Sequence, residues 1–233
     1  KDAAPQPVFL GDYRPFSHLV DRVELTFRLA PRATKVAARL HLRPNPAARG
    51  HHHLRLAGEA LRLISCRVDG ALVDVTPDAT GLTLSADLLP AAPFVVETVV
   101  EISPEENTAL EGLYMSKGMY CTQCEAEGFR RITYFPDRPD VLATYRVRMT
   151  ADATRFPVLL ANGDPVASGE AEGGRHWAEW HDPWPKPSYL FALVAGDLRA
   201  NRGEFVTQSG RTVQLGIWVR EADLPRTEHA LHA

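Results

Sequence analysis

The residues whose types could carry chemistry fall in a few short stretches. Cys121-x-x-Cys124 is a single pair of thiols. A structural zinc site needs two further ligands, and no second Cys pair or His pair follows at a suitable spacing. A thioredoxin-like redox motif needs a βαβ setting, which the periodicity along this chain does not offer. The pair therefore reads as ordinary semi-buried thiols. His51-His52-His53 reads as a solvated loop between strands, since three consecutive imidazoles cannot all face one ion. Two of them with a partner would bind zinc or nickel only adventitiously. His229 and His232 stand three apart, whereas the zinc-protease motif H-E-x-x-H needs two His one helical turn apart with a Glu between them as base. That motif is absent, and so are the nucleophile elbow, the phosphate loop and the dinucleotide fingerprint.

Two aromatic groupings are open to a binding reading. Trp177, Trp180 and Trp184, with His176 and His181, could stack on a sugar or a base. Aromatics alternating along a strand are also what sheet packing requires. Arg130 and Arg131 stand beside Tyr134 and Phe135, but a chain with 26 Lys+Arg against 29 Asp+Glu has no global basic field for nucleic acid. The segment from Thr108 to Asp140 departs most from routine sheet. It sets Gln123, Glu125 and Glu127 among small and aromatic residues. Two readings stand. One is a solvated acidic loop; the other is a cation-binding loop, in which desolvated carboxylates accept from an ammonium group.

The elements that must position these residues are strands. Val23, Leu25, Phe27 and Leu29 alternate with polar residues, as do Val36, Ala38, Leu40 and Leu42. Leu82, Leu84, Ala86 and Leu88 form a third such run, and Phe94, Val96, Thr98, Val100 and Ile102 a fourth. Tyr145, Val147 and Met149 repeat the pattern, with Arg175–Trp180 and Tyr189–Ala195 as later strands. Period-two alternation puts one face on a core and the other in water. Turn clusters at 43–46, 137–140, 162–165 and 172–174 separate the runs. The fold class is all-β: a mainly antiparallel sandwich or sheet domain over 1–197. From 198 to 233 the pattern changes. Val213, Leu215, Ile217 and Val219 alternate after a turn at Ser209-Gly210, and a helix is expected after Pro225. This stretch reads as the beginning of a second, uncompleted domain.

The 233 residues, 45% of them hydrophobic and 24% charged, sit in the ordinary globular range and can bury a sizeable core. No apolar stretch reaches the roughly 18 residues that a spanning helix needs. Lys1–Phe9 lacks an apolar signal-peptide core, and three cysteines make a disulfide framework unexpected. A cytoplasmic location with no membrane partner is expected.

Four ordered strings carry a resemblance: T-A-L-E-G-L-Y (108–114), C-T-Q-C-E-A-E-G-F-R (121–130), I-T-Y-F-P-D-R-P-D-V-L-A (132–143) and K-P-S-Y-L-F-A-L-V-A-G-D-L (186–198). With these strings the chain resembles the bacterial aminopeptidase N (alanyl aminopeptidase) family of zinc metallopeptidases, clearest over 100–220. The resemblance implies a saddle-like N-terminal β domain, followed by the first strands of a thermolysin-like catalytic domain. The family's G-A-M-E-N and H-E-x-x-H motifs are both missing. It follows that the parent would hold zinc, that this chain would hold none, and that it would be inactive alone. At matching positions, Glu125 corresponds to the glutamate that binds the substrate's α-ammonium group, and Gln123 to the glutamine lining that subsite. The resemblance also implies a cis peptide bond at Glu125–Ala126. The partners it implies are a peptide N-terminus and the chain's own catalytic domain. A different class of function, a stand-alone β-sandwich binding module using Trp177, Trp180 and Trp184, stays open at this point.

Overall fold

Alternation of apolar and polar side chains decides most of the architecture. The computed structural model describes residues 7, 9–48, 50 and 52–232, with the backbone alone at His232. Its strands are β1 (His18–Arg28), β2 (Thr34–Pro44), β3 (Leu54–Ala57), β4 (Arg62–Val68), β5 (Ala71–Leu72), β6 (Gly81–Leu84), β7 (Phe94–Ile102) and β8 (Gly112–Ser116). They continue with β9 (Met119–Gln123), β10 (Leu142–Asp152), β11 (Val158–Ala161), β12 (Asp164–Ala171), β13 (Arg175–Pro187), β14 (Leu193–Gly196), β15 (Arg199–Val206) and β16 (Thr212–Val219). One short helix, α1 (Glu228–His232), follows. The class is all-β, as the periodicity predicts.

Eight strands form one sheet in the order β12-β13-β10-β1-β2-β7-β4-β5. Its pairings are antiparallel except for β1 with β10. Those two strands lie side by side although more than a hundred residues separate them, because a parallel pair cannot be closed by a tight turn. One face of the sheet is the core. Val23, Leu25 and Phe27 of β1, Val36, Ala38, Leu40 and Leu42 of β2, and Tyr145, Val147 and Met149 of β10 are all buried there.

The other face carries charge in register. Arg67, Glu97, Arg39, Glu24, Arg146, His181 and Asp164 stand opposite one another across seven successive strands. Arg39 reaches Glu97 at 2.8 Å and Glu24 at 3.3 Å. Opposite charges directly across a strand pair add a few tenths of a kcal/mol to about 1 kcal/mol each.

A four-stranded sheet, β11-β14-β9-β8, covers part of the core, and β3 pairs with β6 in a further two-stranded sheet. β15 and β16 form a separate antiparallel hairpin. Its alternating Val213, Leu215 and Ile217 are only half-buried. α1 begins at Glu228, while Pro225 lies inside a preceding 3-10 turn, Glu221–Arg226.

Two expected runs end early. The third strand stops at Leu84, and Ala86–Leu88 closes into a 3-10 turn that leaves Leu88 exposed. Likewise Ser188–Leu190 is a 3-10 turn, so the strand expected from Tyr189 begins only at Leu193. In both cases the apolar spacing persists past the point where the backbone leaves the ladder.

Candidate functional site

The segment from Thr108 to Asp140 is built on a hairpin. β8 and β9 pair with Gly112 opposite Gln123 and Tyr114 opposite Cys121. Gln123 ends β9, and the chain then turns through Cys124–Gly128 into a 3-10 helix, Phe129–Arg131. Gly128 closes that turn by donating its N–H to the Cys124 carbonyl at 2.8 Å. A Cβ on Gly128 would stand 2.4 Å from the Gln123 carbonyl oxygen and 2.9 Å from the Gly112 nitrogen, so the backbones of strand and turn touch here.

Phe129 pins the turn to the core. It is fully buried, edge-on to Phe135 at 5.1 Å and to Phe191 at 5.2 Å between ring centroids. Asp137 pins it by hydrogen bonds. Its side chain is 1% exposed, and its Oδ2 accepts from the Arg130 backbone N–H and from Arg130 Nε, both at 3.1 Å. Its Oδ1 accepts from Ser188 Oγ at 2.5 Å. Arg130 also reaches Glu127 at 3.2 Å and donates to the Asp137 carbonyl at 3.2 Å. Arg131 pairs with Glu59 and Glu111. A carboxylate taken out of water is tolerated only when its lone pairs are met in this way.

On this scaffold Gln123 and Glu125 come together. The Gln123 side-chain amide donates to the Glu125 carbonyl oxygen at 3.2 Å. The Glu125–Ala126 peptide bond is cis. Gln123, Glu125 and Glu127 are all exposed, so the apolar neighbours in sequence do not desolvate these carboxylates. The reason is directional: Cys124, Phe129 and Tyr134 point inward, and the polar side chains between Cys124 and Phe129 point out.

Neither thiol of the C-x-x-C pair is primed for chemistry. Burial, with Asp137 nearby, pushes the Cys124 thiol up to about 12, and burial also raises Cys121. Cys66, Cys121 and Cys124 are all free. Among the described residues, no group of three or more His, Cys, Asp or Glu side chains is arranged to hold a metal ion. These residues do not fit a zinc centre. His51 and the His232 side chain lie outside the described residues. His53 accepts a hydrogen bond from the Ala86 N–H at 3.1 Å.

The three tryptophans do not form one platform. Trp177 and Trp180 are an odd number of positions apart on β13, so they stand on opposite faces. Trp180 donates its indole N–H to the Leu159 carbonyl at 3.2 Å, while the Arg148 guanidinium lies over the Trp177 ring at 3.7 Å. Both border a groove with Trp218, but Trp184 is absent from its lining and stands 76% exposed in the irregular stretch between Asp182 and Lys186. The three tryptophans therefore do not present one continuous stacking face.

Reading along the sequence passed over Asp137 and Ser188. Their contact joins residues 51 positions apart, and neither lies in a motif with chemistry of its own.

Comparison with known proteins places this geometry. Residues 79–190 match the family model of the peptidase M1 N-terminal domain. The chain is 53% identical to aminopeptidase N of Caulobacter vibrioides over 97% of its own length and 26% of that protein. It superposes with a TM-score of 0.89 and 35% identity on a structure of Legionella pneumophila aminopeptidase A in complex with aspartic acid, covering 95% of this chain and 26% of that one. It also shares the fold of an M1 zinc metallopeptidase from Deinococcus radiodurans bound to a Tyr-Ser-Ala substrate, with a TM-score of 0.75 and 19% identity over 88% of this chain and 48% of that one. The chain thus spans about a quarter of the length of the curated relative it matches.

Proposed function

Since the chain belongs to the bacterial aminopeptidase N family of M1 peptidases and matches its N-terminal portion, we propose that it supplies part of the pocket in which a zinc-dependent aminopeptidase holds the N-terminus of a peptide. Glu125 is assigned to the substrate α-ammonium group, and Gln123 to the wall of the same subsite. The observation that carries this reading is the exposed Gln123–Glu125 pair on a turn anchored from beneath by Phe129 and Asp137. An exopeptidase must distinguish a free N-terminus from an internal amide. A carboxylate does so through a charge-assisted bond that an uncharged amide nitrogen cannot match.

Glu125 and Gln123 are open on this chain, so desolvation of the bound ammonium falls to whatever packs over the turn. We assign that role to the enzyme's own catalytic domain, whose first strands we place at 198–233, after the N-terminal β domain at 1–197. The exposed Trp184 and Leu190 are apolar surface that such a partner would cover, and the exposed Phe205 and Val206 are surface that the rest of that domain would cover. Zinc, held by residues of the complete enzyme other than those described in this chain, would supply Lewis acidity at the scissile carbonyl. We assign this chain the part of binding and orienting the substrate, silent on its own. The free thiols are in keeping with a cytoplasmic protein.

Hydrolysis of a chromogenic alanine anilide by the purified chain, with added zinc and then with chelator, tests the silence. The expected result is no turnover in either condition. Chelator-sensitive turnover, once a host aminopeptidase is excluded, would overturn it and turn attention to His51–His53, His229 and His232.

A further inference from the structure

The geometry points to Asp137 as a positioning residue for the amine subsite, acting through the turn that carries Glu125. The inference rests on the assignment of Glu125 proposed above. Glu125 itself makes no side-chain contact that would fix the course of its backbone; the turn is held from its two ends. At the strand end, Gln123 continues the β8–β9 ladder. At the far end, the first residues of the 3-10 helix are held by Asp137. Its carboxylate takes the Arg130 backbone N–H and the Arg130 Nε on one oxygen, and Ser188 Oγ on the other. The Arg130 guanidinium then returns to Glu127, two residues beyond Glu125. A chain of charge-assisted contacts thus runs from buried Asp137 through Arg130 to Glu127 and brackets the glutamate assigned to the substrate.

The geometry also ties the turn to a distant element. Ser188 opens the 3-10 turn after β13, so Asp137 joins the Glu125 turn to the end of the longest strand of the main sheet. Cys124 and Tyr145 are buried nearby, and the carboxylate helps to raise the pKa of both. Without the carboxylate, the Arg130 N–H and the Ser188 hydroxyl lose their acceptor in a buried place, while the backbone bond from Glu59 to the Arg130 carbonyl and the Arg131 ion pairs remain. A charged binding group that is displaced makes longer and poorly aligned hydrogen bonds to its substrate, and such bonds weaken steeply as their geometry worsens.

The test uses the complete enzyme that carries this chain and four variants: Asp137→Ala, Asp137→Asn, Glu125→Ala and the double variant Asp137→Ala/Glu125→Ala. With an alanine anilide as substrate, Asp137→Ala is expected to raise KM about tenfold with kcat changed by less than about threefold. Asp137→Asn, which keeps an oxygen acceptor and the shape, should recover most of that loss. In the double variant, KM should equal that of Glu125→Ala alone, because a residue acting only through Glu125 has nothing left to position. An unchanged KM in Asp137→Ala, or a penalty that multiplies on top of Glu125→Ala, overturns the positioning role. If Asp137→Ala cannot be purified folded, Ser188→Ala removes one bond and leaves the Arg130 contacts. A raised KM for Ser188→Ala that is abolished in the Glu125→Ala background supports the role, and a wild-type KM overturns it. A Glu125→Ala enzyme with unchanged KM would instead overturn the amine-subsite assignment itself, whatever Asp137 does.

Discussion

The eight-stranded sheet and the turn at Cys124–Asp137 are stabilised in contrasting ways. In the central strands β1, β2, β7 and β10 of the sheet, a residue's environment follows from its parity along the strand: Leu25 is 1% exposed, while Glu24, its neighbour, lies in the charged row on the opposite face. Many equivalent contacts share the burden, and no single outward charge is decisive. In the turn, a few unlike contacts each hold something that no neighbour duplicates. Phe129 fills the core, Gly128 lets two backbones meet, and Asp137 gathers donors from residues 7 and 51 positions away. The sheet tolerates change on its outer face, whereas the turn is specific in every part. That is the difference expected between a scaffold and a site.

The largest stability loss should come from the sheet's buried face. Phe27 is fully buried and stacked on Phe191 at 6.3 Å, so Phe27→Ala should cost about 3–5 kcal/mol, read as a lower urea midpoint. Gly128→Ala comes next. Its backbone φ of −79° suits any residue, so the penalty is contact alone, with the Gln123 carbonyl 2.4 Å from the new Cβ. A loss of about 1–3 kcal/mol is expected, together with faster amide exchange confined to the turn. Exchange that rises across the whole sheet instead would show that the two regions unfold as one.

Glu24→Ala should do far less, though Glu24 touches Arg22, Arg39 and His41. The two arginines are about half-exposed, and the expected loss is about 1 kcal/mol or less, shrinking further in high salt. A loss above the Gly128→Ala value would erase the contrast between shared and singular contacts.

His41 gives the mildest effect. Burial and then the adjacent Arg22, whose Nη2 lies 3.0 Å from His41 Nε2, lower its pKa below the ordinary 6.5. The unfolded chain therefore takes up a proton before the folded one does, and stability should fall as pH drops below about 6.5. Comparing urea midpoints at neutral and mildly acidic pH, in wild type and in His41→Gln, checks this: the variant should show the smaller drop.

What was legible in the sequence follows the same division. Period-two runs at Val23–Leu29, Val36–Leu42 and Phe94–Ile102 located three neighbouring strands and their buried faces, because strand parity is a local property. The run at Leu82–Leu88 misled, since apolar spacing does not reveal where hydrogen bonding to a neighbour stops. For the tryptophans both a stacking and a packing reading stood, and the same strand parity separates them, since Trp177 and Trp180 fall on opposite faces. At the proposed site, Gln123, Glu125 and Glu127 stood out by residue type as an acidic or cation-binding loop, while the specific role proposed for Gln123 and Glu125 came only through resemblance to a family. Asp137 and Ser188 stand within strings that carry the resemblance, but their contact was not legible, because a long-range contact between two ordinary polar residues leaves no local signal.

The central assignment, Glu125 as receptor of the substrate's free amine, is open to one comparison in the complete enzyme. Hydrolysis of an alanine anilide is measured against its desamino analogue, propionyl anilide, in wild type and in Glu125→Ala. Glu125 is exposed and has no role in the core, so the variant should melt with the wild type. The preference for the amine-bearing substrate should collapse by about a hundredfold, the scale on which a charge-assisted contact is lost. An unchanged preference in a folded Glu125→Ala enzyme would contradict the assignment and place the amine elsewhere.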